Sequence, residues 1–346
     1  MPLRFLSLIL VVILTSCHQK KSFSRVDVDM LLIDSISVRA IAPIDTGAVW
    51  FAANRGMVGL IKNKNSSVAQ LLQDGSPVPF RSLAHVGGAA FVLSIEDPAL
   101  LYRIDLDGSE ISNIDLVYKE EGAGVFYDAM TFWNAQEGLA IGDPVEGCLS
   151  VIKTVDGGAT WTKLPCDDLP MMGEGEAAFA ASNGNIAVMG DQTWIVTGGK
   201  KSRVFYSPDK GLTWNIFETP IVQGAEMTGM FSVDFYDERL GVVFGGDWSK
   251  QEENTKNKAL TMDGGATWTL LADGQDPGYC SSVRFVPNGG GERIVAVGPK
   301  GIYSSGDQGA SWRQLDQTAF YTIRFVNDTL AFAGGPNRIA RLIFRY

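Results

Sequence analysis

Thr154-Val-Asp156-Gly-Gly158-Ala-Thr160-Trp161 is one of four versions of a single eight-residue pattern in this chain. The others are Ser207-Pro-Asp209-Lys-Gly211-Leu-Thr213-Trp214, Thr261-Met-Asp263-Gly-Gly265-Ala-Thr267-Trp268 and Ser305-Gly-Asp307-Gln-Gly309-Ala-Ser311-Trp312. The shared form is Ser/Thr-x-Asp-x-Gly-x-Thr/Ser-Trp, and successive Asp residues are 53, 54 and 44 positions apart. A period of this size marks a repeat architecture. Each copy reads as a tight hairpin turn. The carboxylate accepts from the backbone N–H groups that follow it, and the Gly adopts a conformation that costs other residues more. The Trp starts the outgoing strand and packs over the hairpin. Turn chemistry accounts for every position, so Asp156, Asp209, Asp263 and Asp307 are structural rather than catalytic. The Asp-Gly-Gly runs also lack the further ligands of a calcium loop.

The pattern resembles the Asp-box, or bacterial neuraminidase repeat, of sialidase-like β-propellers, where it joins the third and fourth strands of a blade. Short, β-branched, Gly-punctuated strands precede each copy, for example Ser232–Tyr236 with Gly241–Gly246, and Ser282–Val286 with Arg293–Gly298. Two degenerate units lie at 36–72 and 80–117, the second with a comparable turn at Asp105-Leu-Asp107-Gly108. A last unit from Thr322 to Tyr346 has three strands, and Val26–Ile33 is a strand without a hairpin partner. The expectation is an all-β propeller of seven four-stranded blades spanning 26–346 as one domain. The N-terminal strand closes the last blade and removes exposed sheet edges. The overlong first half of the fourth unit, around Asn183 to Gln192, leaves six or eight blades open.

Residues 1–16 read as a secretory signal: Arg4, then the apolar run from Phe5 to Leu14, then Leu14-Thr-Ser-Cys17. The ending resembles a bacterial lipobox, which implies cleavage before Cys17 and lipidation there, with 17–25 as a tether. No Asp follows Cys17, and by that resemblance the anchor belongs in the outer membrane of a Gram-negative cell. The formal net charge of −10, without a basic run, argues against nucleic-acid binding. Cys148 and Cys166 flank Gly157 by nine residues on either side, so a hairpin centred there would bring them face to face. They are either a disulfide or two free thiols. Cys280 reads as a small buried residue.

In propellers of this kind the loops entering each blade share a face with those joining the second and third strands. Here that face carries Pro165–Gly175, Glu218–Thr228, Ala272–Tyr279 and the charged insertion Ser249–Lys258. Aligning the first strand of every unit places Arg39, Arg81, Asp128, Glu176, Asp234, Arg284 and Arg324 along the channel, a basic arc facing an acidic arc. These charges either pair with one another or receive an anionic or zwitterionic partner, for which Arg is well suited.

Gly138-Leu-Ala-Ile-Gly-Asp143 before the first box, and Gly241-Val-Val-Phe-Gly-Gly-Asp-Trp248 before the third, resemble the photosystem II stability/assembly factor-like propellers. That resemblance implies a non-enzymatic, exported scaffold that binds a membrane-protein intermediate through an Arg-rich patch; the chain itself is expected to be a monomer. For lipoprotein relatives it implies a fold and a style of binding, leaving an envelope protein or an anionic or glycan ligand as the partner. The alternative is a sialidase-like or xyloglucanase-like glycoside hydrolase, which needs two carboxylates. Asp128, Asp143, Glu176, Asp234 and Asp247 are the candidates. The Arg-Ile-Pro motif of sialidases is missing, and so is a Gly-x-Gly-x-x-Gly nucleotide turn. His85 is the only His besides His18, which disfavours a His-based metal site. No cofactor is expected.

Overall fold

The computed structural model describes residues 22–346. The signal segment 1–16, Cys17 and the tether as far as residue 21 lie outside the described residues. The chain forms six large antiparallel sheets arranged around a central channel. Counted as hydrogen-bonded sheets, the propeller therefore has six blades, not the seven expected from the sequence.

The difference arises in sheet one. The strand Arg25–Asp45 runs unbroken for 21 residues. Its first part pairs with the C-terminal strand Leu330–Arg345, from Arg25 opposite Arg345 to Ser37 opposite Pro336. Its second part pairs with Ala48–Ala53. One strand thus serves what the sequence divides into two units, giving a single six-stranded sheet. The physical reason is local. Between Arg25 and Ala42 there is neither Gly nor Pro, so the strand absorbs its bend through bulges near Met30/Leu32 and Ile33/Ser37 instead of breaking.

Sheets two, three, four and six have four strands each, beginning at Phe80, Tyr127, Ile186 and Ser282. Sheet five begins at Thr228 and carries two short extra strands, Glu176–Ala177 and Gly198–Gly199, on its channel side. The first strand of each sheet lines the channel; sheet one lends both Arg25–Asp45 and Thr322–Phe325.

The four repeated turns connect the third and fourth strands of sheets three to six. Their bonding is the same each time. In the first, Gly158 N donates to Thr154 Oγ1 at 2.9 Å, Thr160 N to Asp156 Oδ1 at 3.0 Å and Thr160 Oγ1 to Asp156 Oδ2 at 2.6 Å. Gly211, Gly265 and Gly309 repeat the first of these bonds. The Trp rings pack edge-on against core aromatics: Trp161 on Phe132, Trp268 on Phe235 and Trp312 on Phe244. Trp214 joins the apolar layer that contains Ile195 and Phe205.

Cys148 and Cys166 form a disulfide with Cα atoms 5.7 Å apart, while Cys280 is buried and free. The bridge closes a loop over a separation of 18 residues. Reduction, or Cys166→Ser, is expected to cost about 2–3 kcal/mol through the freed unfolded chain. Urea midpoints with and without a thiol reductant measure it.

Candidate functional site

The channel is filled by the chain itself. After the short strand Glu176–Ala177, residues 178–185 (Ala-Phe-Ala-Ala-Ser-Asn-Gly-Asn) cross it before sheet four begins at Ile186. Small side chains permit this passage. A Cβ on Gly184 would lie 2.6 Å from Ser182 Oγ and 2.9 Å from Ser232 Oγ. Asn183 sits at φ 52°, which Asn tolerates better than most residues. Its side chain accepts from Met130 N at 2.8 Å and donates to Leu83 O at 2.8 Å, bridging two walls of the channel.

The Arg residues of the expected basic arc hold this plug. Arg39 Nη1 donates to Ala181 O at 3.0 Å, and its guanidinium lies 4.1 Å from the Tyr321 ring centre. Arg81 Nη1 reaches Ala180 O at 3.5 Å. Arg324 Nη2 donates to Ser182 O at 3.2 Å and Asn183 O at 2.5 Å. Arg284 Nη1 donates to Val233 O at 2.8 Å and lies 3.5 Å from Asp234 Oδ1. Burial, then the neighbouring Arg284, pulls the Arg324 pKa well down, and Asp234 opposes this. A carbonyl is a good acceptor for a guanidinium, and the four carbonyls from Ala180 to Asn183 engage donors of Arg39, Arg81 and Arg324.

The acidic residues fare differently from one another. Glu176 is not on a first strand, as the alignment expected. It lies about ten positions ahead of the channel strand Ile186–Met189, because residues 178–185 are inserted between them. There it is buried and pairs with Arg203 at 2.5 Å. Asp234 accepts from Phe285 N at 2.7 Å, and Asp247 accepts from Ser249 N at 2.8 Å. Asp143 accepts from Ala178 N at 3.1 Å. Asp128 is fully buried, and neither of its oxygens has a hydrogen-bond partner among the described residues. The Ala180 amide lies near enough to pull its pKa down slightly, without hydrogen-bond geometry.

The plug separates two spaces. The lower cavity, of about 690 Å³, opens on the face of the repeated turns and includes His85, Phe132 and Phe325 in its lining. Burial lowers the pKa of His85. The upper cleft, of about 360 Å³, opens among the loops and is lined by Asp128, Asp143, Arg81, Phe126, Trp248 and Tyr279, among others. Met227 and Trp248 at its rim are 36% and 46% exposed. Lys258, in the charged insertion, turns inward instead. It is buried beneath Ala272–Tyr279, and Nζ donates to Asn257 Oδ1 at 2.9 Å and Gln275 O at 2.8 Å. Burial lowers its pKa to about 8. Sequence reasoning did not single out Asn183, Arg203 or Lys258, each of which has a partner at least 17 residues away.

Burial raises the Asp128 pKa well above the usual carboxylate range, and Asp143 raises it further. Burial pushes Asp143 up to about 6, against the Ala178 hydrogen bond. An acid whose folded pKa exceeds its unfolded value of about 3.9 binds its proton more tightly when folded. Its stabilising contribution is therefore present below that unfolded pKa and is lost as the pH rises through about 6. Asp143→Asn keeps an oxygen for Ala178 N. It should match wild type near pH 4 and exceed it by about 1–3 kcal/mol at pH 7. Thermal melts across that range check the sign.

Among the described residues no cluster of three or more His, Cys, Asp or Glu is placed to hold a metal ion. No described helix is long and apolar enough to cross a membrane.

These features define an all-β propeller whose channel is plugged by its own backbone and whose loop face carries a partly acidic cleft. No family model matches the chain, and no curated protein does. Solved structures match along nearly its whole length. "YCF48 bound to D1 peptide" superposes with a TM-score of 0.66 at 12% identity, covering 94% of this chain and 98% of that one. YCF48 from Cyanidioschyzon merolae gives 0.62 at 13%, covering 93% and 99%. The RRP9 WD40 repeats give 0.65 at 11%, covering 94% and 99%. At these identities the likeness establishes the propeller fold, one shared by a photosystem II assembly factor and by WD40 proteins.

Proposed function

We propose that this chain is a non-enzymatic binding scaffold that receives a segment of another protein on its upper loop face. The observation that carries this reading is the cleft with exposed Met227 and Trp248 at its rim, set on a rigid propeller. A similar propeller has been solved as YCF48 bound to D1 peptide, which supports a peptide as the kind of ligand. The four turns fit the Asp-box branch of propellers. The signal-like residues 1–16 and Cys17 support export and lipid anchoring in the envelope, outer membrane included, with 26–346 as the binding domain.

The Arg arc is a poor target for mutation in this setting, because Arg39 and Arg324 also hold the plug. The test is in-cell crosslinking of the full chain beside Trp248→Asp, which changes only the rim. A defined protein captured by wild type and lost from the variant supports the scaffold. Equal capture, or none, overturns it.

The hydrolase alternative narrows to one carboxylate pair. Glu176 is paired with Arg203 and Asp234 with Arg284, Asp247 is not among the residues lining the cleft, and Asp128 and Asp143 share it. Turnover of chromogenic glycosides that disappears in Asp143→Asn would replace the scaffold reading.

A further inference from the structure

The sequence directs attention to the Arg residues as the binding groups, but the bonding is the other way round. Arg39 and Arg324 already donate to plug carbonyls, and Arg284 donates to carbonyls of its own and the neighbouring channel strand. Among the buried groups without a hydrogen-bond partner, Asp128 is the charged one that lines the upper cleft; it is 0% exposed and both its oxygens are unbonded. Buried polar atoms are satisfied in the great majority of cases, and an exception calls for an explanation. Asp143 lines the same cleft and uses only Oδ1, on Ala178 N. Neither carboxylate belongs to an ion pair among the described residues; Arg81 acts on Asp128 through space. The other charged groups facing the cleft are Arg39, already bonded, and the exposed Glu226. An anion entering here would meet both carboxylates beside Arg39 and Arg81, whose guanidinium groups already donate to plug carbonyls. A cation would give Asp128 its missing donors.

We infer that the upper cleft is a receptor for one ammonium or guanidinium group, the side chain of a lysine or arginine on the bound segment. This rests on the scaffold reading for its biological setting but not for its chemistry. Three observations converge on it: an unpartnered buried acceptor, a second carboxylate in the same space, and aromatic walls. Trp248, Phe126 and Tyr279 line the same cleft as the two carboxylates. Rings of this kind pack the apolar stem of Lys or Arg and attract its charge. Filling the site brings Asp128 a charge-assisted hydrogen bond.

The test uses the full chain and four blocked pentapeptides, acetyl-Gly-Gly-X-Gly-Gly-amide, with X as lysine, arginine, norleucine or glutamate. Titration followed by Trp fluorescence and calorimetry should show the lysine or arginine peptide binding at least about tenfold more tightly than norleucine, which corresponds to about 1.4 kcal/mol. The glutamate peptide should bind most weakly. Asp128→Asn should reduce the cationic peptide to the norleucine level. The lysine and arginine arms decide between the two cations. Equal binding of lysine and norleucine, preference for glutamate, or no binding at all overturns the inference, and the wild-type comparison stands even if the variant folds poorly. The two readings fail separately. Protein capture lost in Trp248→Asp without cation preference leaves the scaffold and removes the receptor. Cation preference without capture leaves a small-cation site and removes the scaffold.

Discussion

Asn183→Ala is expected to destabilise the folded chain by about 3–5 kcal/mol, because it leaves two buried backbone groups without partners. Met130 N and Leu83 O belong to neighbouring channel strands, and the Asn183 carboxamide is the hydrogen-bond bridge between them. Each orphaned group costs about 1–3 kcal/mol. Alanine also has to adopt φ 52°, where a Cβ without a compensating side-chain bond is strained. Two controls separate these contributions. Asn183→Gly removes the strain but not the lost bonds, so it should recover only the smaller part. Asn183→Asp can still accept from Met130 N but cannot donate to Leu83 O when ionised, and it buries a charge. It should fall at least as far as alanine at pH 7 and recover on acidification. Urea midpoints for the three variants decide the matter. If all three lie within about 1 kcal/mol of wild type, water has replaced the bridge and the plug is not a structural member.

The same residue marks the limit of what the sequence reveals. The four turns are legible because every contact that shapes them is local: Ser or Thr, Asp, Gly and Thr or Ser bond to one another within five positions. The strands between them are legible for the same reason. The plug is not. Ala-Phe-Ala-Ala-Ser-Asn-Gly-Asn has no periodicity of either kind, and its partners lie about 50 to 140 residues away. Its only trace in the sequence is the overlong first half of the fourth unit. Misplacing the first strand there by about ten residues brings Glu176 into the channel alignment in error. The blade count departs from expectation for a different reason. Where a strand ends is marked by Gly and Pro, and their lack from Arg25 to Ala42 lets two units share one strand. For the site, the types and neighbourhood of the charges are readable, but which of them are already satisfied is a property of the fold alone.

Arg203→Met is expected to cost about 3–5 kcal/mol, the usual consequence of leaving one member of a buried ion pair alone. Glu176 has a side chain with 0% exposure and that of Arg203 has 11%, so water cannot replace the lost partner. The carboxylate accepts from Arg203 Nε at 3.1 Å and Nη2 at 2.5 Å, from Thr197 Oγ1 at 2.6 Å and from Gly173 N at 2.7 Å. After Arg203→Met only the neutral donors remain. Glu176→Leu should cost a similar amount by leaving the guanidinium with Met171 O at 3.3 Å as its polar partner. The double variant should cost clearly less than the two singles together, since it removes both charges and fills the space with apolar groups. Additive losses would mean that the pair is held apart from its setting and that each side chain acts through packing alone. The pair also bears on binding. Glu176 fastens Gly173 and, two residues further on, Ala178 donates to Asp143 in the upper cleft. Arg203→Met should therefore weaken the lysine pentapeptide as well as the fold, although Arg203 is absent from the cleft lining. Loss of peptide affinity at temperatures where the variant is still fully folded would show that this buried pair positions Asp143 and the start of the plug. Unchanged affinity would confine it to holding the edge of sheet five.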